Sequence, residues 1–273
     1  MQGRLVPPEG DRIQAFPRER WLDEFALGHL AGIAAIEWIF DQYGRDVNPL
    51  SSDVGIALVR DRIAQTGVRV DSLVADYFMD FPFVSANVRE ERERRQTLAW
   101  LLGQCRRLGM SRVVLPFVDA SAMRSPRDED VVSSVLTEAL PVAESQQVEV
   151  HLETDLGPAA FARLLDRIDH PWLKVNYDSG NSASLGYRIR DEFDAYGTRI
   201  GSVHIKDRVY GGTTVPLGTG SVDFNSLFEG LDRLGYDGDL ILQVARGAAG
   251  DEVQWARSNA AFVRAFVTGL ATD

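Results

Sequence analysis

Four polar side chains end successive apolar runs in the second half of the chain, and their types are those that hold a divalent cation. Glu153 closes VEVHLE, Asp178 closes LKVNYD, His204 stands in IGSVHIK and Gln243 in DLILQV. Carboxylate and amide oxygens with one imidazole suit a hard or borderline ion such as Mn, Mg, Co or Zn. Each residue alone also has a structural explanation, such as a satisfied interior histidine or a hydrogen-bonded amide. Their recurrence on consecutive runs favours a shared metal site.

Such a site needs secondary-structure elements that bring the ends of these runs together. Along the chain, short apolar runs alternate with longer segments that have apolar residues at helical spacing. Strands are predicted at 3–6, 34–39, 69–75, 112–117, 148–153, 173–178, 200–206 and 239–244. Helices are predicted at 21–30, 53–65, 89–108, 130–145, 159–168, 224–234 and 252–266, with a weaker pattern at 191–196. This order indicates β/α units around a parallel sheet.

Eight such units in 273 residues predict a single α/β domain over residues 1–273, an eight-stranded (β/α)8 TIM barrel. An open doubly wound sheet is less favoured because no glycine-rich dinucleotide fingerprint follows any run. Catalytic groups of a barrel come from the carboxyl ends of its strands, where the four polar residues fall. The first run is short, so either the chain starts further upstream or that strand is clipped.

Composition excludes several functional classes. The 40 acidic residues against 29 basic ones give a net charge of −11, which disfavours nucleic acid as a partner. The single cysteine, Cys105, excludes an intrachain disulfide framework and any cysteine-only zinc site. The start lacks the apolar run of a signal peptide, and no stretch reaches the roughly 18 apolar residues of a membrane helix. We therefore expect a cytoplasmic protein that does not bind membranes.

Further along the chain, DSGN at 178–181, HIKDR at 204–208 and LGTGSVDF at 217–224 accompany Glu153. Together these resemble the xylose isomerase-like family of sugar phosphate isomerases and epimerases. The opening GRLVPP and the pair Glu37 and Trp38 are also similar to that family. The resemblance implies a metal-dependent barrel acting on ketoses, sugar phosphates or similar polyols. It also implies that Glu153, Asp178 and His204 are metal ligands.

The chain departs from this family at Gln243, where many of its epimerases carry a second glutamate. An amide oxygen can ligate a hard cation, but it cannot exchange a proton near neutral pH. Only two anionic ligands then remain, which predicts a strongly Lewis-acidic and more weakly held metal, with manganese the first choice. Epimerisation with Glu153 on one face and residue 243 on the other is therefore in doubt.

The chemistry that this ligand set still permits is abstraction of a proton next to a carbonyl, through a metal-stabilised enediolate. Glu153 is the candidate base. Return of the proton to a neighbouring carbon gives aldose–ketose exchange, and return from the opposite face gives epimerisation. His151 is a candidate for the second acid, because strand alternation points it to the same side as Glu153. An interior position below the site is an equally good interpretation.

Cationic and aromatic groups near the same rim are candidates for holding a polyhydroxyl or anionic substrate. The candidate substrate-binding residues are Lys206, Arg208, Arg246, Arg4, Glu37 and Trp38. An arginine fork suits phosphate or carboxylate, although such residues are often solvated rim charges. The sequence leaves open whether the substrate carries a phosphate.

Two other functions remain open. A metal-dependent lyase that dehydrates a keto polyol would use the same first step, and Gln243 is also compatible with a catalytically silent barrel that binds a sugar. The partner expected in all three cases is a small sugar or polyol. The resemblance also allows a homo-oligomer, whose size the sequence does not give.

Overall fold

Seven parallel strands form the central sheet, side by side in the order in which they occur along the chain. The structure is a computed structural model that describes residues 1–270. The strands of the sheet are β1 (Ala35–Ile39), β2 (Arg69–Val74), β3 (Arg112–Phe117), β4 (Glu149–Thr154), β5 (Leu173–Asp178), β6 (Ile200–Ile205) and β9 (Leu240–Leu242). A separate antiparallel ribbon pairs β7 (Asp207–Arg208) with β8 (Thr214–Val215). The positions of these seven parallel strands agree with the sequence prediction to within two residues at each end.

Helices follow the strands and cover the outside of the sheet. They are α1 (Asp23–Ala31), α2 (Asp53–Thr66), α3 (Tyr77–Asp80), α4 (Val88–Leu108), α5 (Pro126–Gln146), α6 (Pro158–Ile168), α7 (Ser179–Leu185), α8 (Ile189–Tyr196), α9 (Phe224–Arg233) and α10 (Glu252–Leu270). The short helices α3 and α7 are not predicted from the sequence. Within residues 1–270, no helix is both long enough and apolar enough to span a bilayer.

The expectation of eight regular strands is wrong at the first one, because residues 3–6 do not form a strand. A single parallel bridge between Gln2 and Glu37 stands in its place. The Gln2 amide also donates to the Leu242 carbonyl (3.1 Å), so this one residue touches both edges of the sheet. Gly3 then takes a left-handed backbone conformation (φ 51°), which turns the chain away before a strand can continue. The barrel is therefore nearly closed by a bridge, not by an eighth strand.

Local signals explain where the helices begin and end. Ser52 and Ser125 cap the first turns of α2 and α5 with their hydroxyls, and Asn87 forms a capping box with Glu90 at the start of α4. At the other end of α4, Gly109 adopts a left-handed conformation (φ 87°) that closes the helix. Strands such as β3 are buried on both faces, because the helices cover the outer face of the sheet and the barrel interior covers the inner face.

A buried carboxyl beside the N-terminal segment predicts a pH-dependent stability. Glu24 is 4% exposed and accepts a hydrogen bond from the Leu5 amide, and burial raises its pKa to about 7. The folded state thus binds this proton more tightly than the unfolded state. The resulting stabilisation is complete below about pH 4.5 and is lost as the pH rises through 7.

We expect Glu24→Gln to raise the free energy of unfolding at pH 8 by on the order of 3 kcal/mol, and to change it little at pH 4.5. Urea unfolding at the two pH values measures the difference. Glu19→Gln, at an exposed position, serves as the matched control. Equal effects of Glu24→Gln at both pH values would contradict the prediction.

Candidate active site

Three ligand-type side chains meet at the carboxyl ends of neighbouring strands. Glu153 lies near the end of β4, Asp178 is the last residue of β5, and His204 lies near the end of β6. Asp178 and His204 are register partners on adjacent strands. One ligand atom from each of the three residues lies within 4.8 Å of the other two. All three side chains are buried, so their polar atoms need partners within the protein or a bound ion.

His204 lies between carboxylates on both sides of its ring. Its Nδ1 is 3.5 Å from Glu153 Oε2 and 3.8 Å from Asp178 Oδ2, and its Nε2 is 2.8 Å from Oε2 of the fully buried Glu37. Within the described residues, neither ring nitrogen has a partner in hydrogen-bond geometry. Burial alone would lower the pKa of His204, but Glu37 and the other carboxylates outweigh it and raise the pKa to about 10.

This arrangement fits a divalent cation. An outer carboxylate on the far nitrogen of a ligating histidine is a common means of orienting the ring toward a metal. Here Glu37 would hold Nε2, while Nδ1 faces the two anionic side chains without an aligned partner. Two carboxylates and one imidazole are a donor set that suits a hard or borderline dication.

Two asparagines orient the Glu153 carboxylate. Asn176 Nδ2 donates to its Oε2 (2.8 Å), and Asn181 Nδ2 donates to its Oε1 (2.7 Å). Burial, followed by the negative charge of Asp178, raises the pKa of Glu153 to about 7. The position of this carboxyl is therefore fixed, and its proton affinity suits proton exchange near neutral pH.

Asp178 has a different environment from Glu153. Burial would raise its pKa, but Lys206 and His204 outweigh that effect and hold the pKa at about 2. Its Oδ1 also accepts the Asn181 amide (2.8 Å) and so caps α7. This cap is what starts the unpredicted helix α7 in a segment without apolar periodicity. Asp178 is therefore a permanent anion, whereas Glu153 can carry a proton.

Gln243 is connected to the cluster of Glu153, Asp178 and His204 by Lys206, which contacts both Gln243 and Asp178. The Lys206 Nζ donates to Gln243 Oε1 (2.7 Å), and it lies 3.3 Å from Asn181 Oδ1 and 3.4 Å from Asp178 Oδ2. The lysine thus supplies a positive charge on the side of the site where the chain has an amide. Gln243 is buried and lines the cleft above the cluster.

His151 lies in the barrel interior below the cleft and is fully buried. Its Nδ1 contacts Ser202 Oγ (2.7 Å) and its Nε2 contacts Glu149 Oε2 (2.9 Å). Ser202 in turn donates to Asn176 Oδ1 (2.6 Å), and Asn176 holds Glu153. His151 is thus connected to Glu153 through two intervening side chains and has no access to a substrate.

Two of the arginines expected at the rim hold the N-terminal segment instead. The Arg246 guanidinium donates to the carbonyls of Gly3, Val6 and Ile13. Arg4 is buried and donates to the Val244 carbonyl (2.6 Å) and to Gln2. The donors of Arg246 are therefore directed at backbone carbonyls, and Arg4 reaches the cleft wall only through its contact with Gln14 Oε1 (3.3 Å).

The other expected substrate-binding residues divide between the site and the core. Arg208 reaches Asn181 Oδ1 (2.9 Å) and the Gly212 carbonyl, so it lies beside the cluster. Trp38 is buried against Phe16, Trp21 and Phe25, on the outer face of β1. Its aromatic ring contributes to the core, while its neighbour Glu37 points inward to His204.

A cleft of about 300 Å³ opens over the cluster and is lined by Glu153, Asn181, Lys206 and Gln243. Its far wall carries residues that the sequence analysis does not single out: Arg12, Gln14, Asp41, Asp76, Asp80 and Asp119. Asp76 directly follows the predicted run 69–75, so the rule that selects Glu153 and Asp178 also applies to it. Gln14 lies in an irregular segment that gives no such signal.

The chain thus combines a parallel β/α architecture with a buried cluster of two carboxylates and one histidine that could hold a metal ion, at the carboxyl ends of the strands. The family model described as xylose isomerase-like TIM barrel matches residues 25–266, and the chain belongs to this family.

Known proteins similar to this chain include several sugar epimerases. The L-ribulose-5-phosphate 3-epimerase UlaE of Shigella flexneri serotype 5b is 26% identical over 254 residues, covering 89% of each chain. A solved L-ribulose 3-epimerase superposes with a TM-score of 0.75 at 18% identity, covering 100% of this chain and 97% of that one. The 3-keto-D-glucoside 4-epimerase YcjR of E. coli gives a TM-score of 0.71 at 23% identity, covering 92% and 97%. These similar proteins are named for epimerisations of sugars or sugar phosphates.

Proposed function

We propose that this protein is a divalent-metal-dependent epimerase of an unphosphorylated keto sugar. The observation that carries this proposal is the cluster of Glu153, Asp178 and His204, of which Glu153 lines a sugar-sized cleft. The reactions named for the similar proteins, which are epimerisations of sugars or sugar phosphates, support the reaction class.

Glu153 is the base that takes the proton from the carbon next to the substrate carbonyl. Asn176 and Asn181 each donate to one of its carboxylate oxygens and so hold it at a fixed orientation for this step. Lys206, whose Nζ lies among Asp178, Asn181 and Gln243, places a positive charge beside the cluster, where negative charge develops on the substrate.

A divalent ion held by Glu153, Asp178 and Nδ1 of His204 would supply Lewis-acid polarisation of the substrate carbonyl. Gln243 would offer an amide oxygen as a further neutral ligand. Manganese is our first choice, because carboxylates with a single imidazole suit it, and the alternatives are Mg, Co and Zn.

The charge of the cleft supports a substrate without a phosphate. Five carboxyl groups line it, those of Asp41, Asp76, Asp80, Asp119 and Glu153, against the two cations Arg12 and Lys206. Of those cations, Lys206 is already bonded to Gln243, and Arg12 lies 4.1 Å from the centre of the Tyr43 ring. At the far wall, opposite the proposed metal site, four of these carboxyl groups face the single cation Arg12. A phosphate dianion placed there would be repelled, whereas hydroxyl groups can donate hydrogen bonds to the carboxylates.

The test is incubation of the metal-loaded protein in D2O with a panel of ketoses, their phosphates and keto-inositols. Mass spectrometry and NMR then follow the products. We expect deuterium on the reacting carbon and a new epimer of an unphosphorylated ketose, with at least a tenfold preference over its phosphate.

Other outcomes of this experiment overturn the proposal. A product lighter by one water would indicate a dehydratase, and a faster reaction with the phosphate would contradict the proposed substrate class. Sugar binding without deuterium uptake, under any of the four metals, would indicate a catalytically silent barrel.

A further inference from the structure

Epimerisation needs a second proton-transfer group, and Gln243 cannot be that group. A proton removed from one face of a carbon must be replaced from the other face, and an amide neither gives nor takes protons near neutral pH. Among the other titratable side chains on the cleft, Lys206 is bonded to Gln243 and Tyr43 to Glu9. Arg12 does not release its proton, so the carboxyl groups are the candidates. This inference rests on the proposed epimerase function.

Three of the four remaining carboxyl groups on the cleft are poorly suited to this role. Both oxygens of Asp41 accept backbone amides, from Phe16 (2.8 Å) and from Gly44 (2.6 Å), which fixes it in a structural role. Asp80 and Asp119 are exposed at the rim, where water competes for the proton.

Asp76 has the position and the freedom that the role requires. It lies two residues beyond the end of β2 and lines the same cleft as Glu153, from a strand separated from β4 by β3. Its Oδ2 accepts a hydrogen bond from Gln14 Nε2 (2.6 Å), whereas no described residue donates to its Oδ1. One oxygen is thus held and the other is available to a substrate.

A chain of contacts keeps the Asp76 carboxyl in place. Gln14 Oε1 accepts from Arg4 Nη2 (3.3 Å), and Arg4 is itself fixed by the Val244 carbonyl and by Gln2. Burial, opposed by the Gln14 hydrogen bond and aided by Asp41, raises the pKa of Asp76 to about 6. The group can therefore hold a proton and release it near neutral pH.

We propose that Asp76 is the second catalytic proton carrier, delivering a proton to the substrate carbon on the face opposite Glu153. In one direction Glu153 breaks the C–H bond and takes the proton. The Asp76 acid then forms the new C–H bond, leaving Asp76 as the carboxylate and Glu153 as the acid. Exchange of protons with water restores both groups, so no oxidant or other co-reactant is needed.

The experiment compares wild type, Asp76→Asn and Gln14→Leu in D2O with the ketose that wild type epimerises. Asp76→Asn should still exchange deuterium into recovered substrate through Glu153, while its rate of epimer formation falls about 10²-fold. Gln14→Leu should show the same separation of exchange from epimerisation, to a smaller degree. Asp61→Asn, on the exposed face of α2, is the matched control.

Metal content and melting temperature are measured for each variant to show that the fold and the cluster are intact. Epimerisation by Asp76→Asn at the wild-type rate would overturn the inference and leave the proposed function standing. Loss of exchange together with epimerisation would also overturn it, because Asp76 would then act in binding. Absence of exchange and product in wild type would overturn the proposed function itself.

Discussion

Asp178→Ala should lose its divalent metal and at least about 10³-fold in turnover, and His204→Ala should do the same. Each substitution removes one of three ligand atoms that lie within 4.8 Å of one another, and Asp178 is also the anion whose pKa is held at about 2. A loss of 10³-fold corresponds to about 4 kcal/mol of transition-state stabilisation. Elemental analysis of protein purified without chelators, alongside steady-state rates, measures both effects.

Because Asp178 also caps α7, Asp178→Ala loses a helix cap as well as a ligand. Asp178→Asn separates the two roles, since an asparagine can still accept the Asn181 amide but carries no charge. We expect Asp178→Asn to keep the melting temperature close to that of wild type and still to bind metal weakly. His170→Ala, at a histidine far from the cleft, is the control. Unchanged metal content in both Asp178 variants would contradict the three-ligand site.

Glu153→Gln should lower the rate at which solvent deuterium enters the substrate by about 10³-fold. The substitution removes the group that takes the proton, and removal of a general base typically costs 10²- to 10⁴-fold. An amide oxygen can still face the metal, so the variant is assayed at saturating metal, with binding checked by elemental analysis. Exchange is followed by NMR, in parallel with epimer formation.

The same variant distinguishes Glu153 from a residue that only holds the metal. If excess metal restored exchange in Glu153→Gln, Glu153 would be a ligand and not the base. Persistent loss of exchange, with metal bound and the melting temperature retained, is the expected result. Asn176→Ala, which removes one of the two amides that donate to the buried carboxylate, should give only a partial loss, because Asn181 still orients Glu153.

Much of the barrel can be predicted from the sequence because both faces of its strands are buried, which gives continuous apolar runs such as 112–117 and 173–178. The first strand is mispredicted because an apolar run says nothing of the left-handed turn at Gly3. Helix α7 is missed because its start depends on one side-chain cap and its sequence lacks helical periodicity. Hydrophobic periodicity does not detect a single side-chain cap or a left-handed glycine.

The cluster of Glu153, Asp178 and His204 is predictable because its members lie at the ends of consecutive strands. The opposite wall of the cleft depends on contacts between residues that are far apart in the sequence. His151 points to the same side of β4 as Glu153, yet it lies deeper in the barrel interior. Strand alternation predicts the side to which a residue points but not its distance from the cleft. Arg246 has the charge expected of a substrate-binding group, but its donors meet three backbone carbonyls that only the folded N-terminal segment supplies. Gln14 reaches Asp76 across 62 positions of the chain, a pairing that no local pattern encodes.

Hydrogen bonds between the N-terminal segment and the residues after the last strand have a consequence for the order of folding. The hydrogen bond from Arg4 to Val244 joins residues 240 positions apart, and the contact of Arg246 with Gly3 joins residues 243 apart. Contacts of such high sequence separation form late, because the entropy of closing the loop must be overcome first. Arg4, through Gln14, also positions Asp76. We therefore expect the wall of the cleft to be completed only after the last strand has docked, so that a chain still emerging from the ribosome does not yet have an assembled cleft.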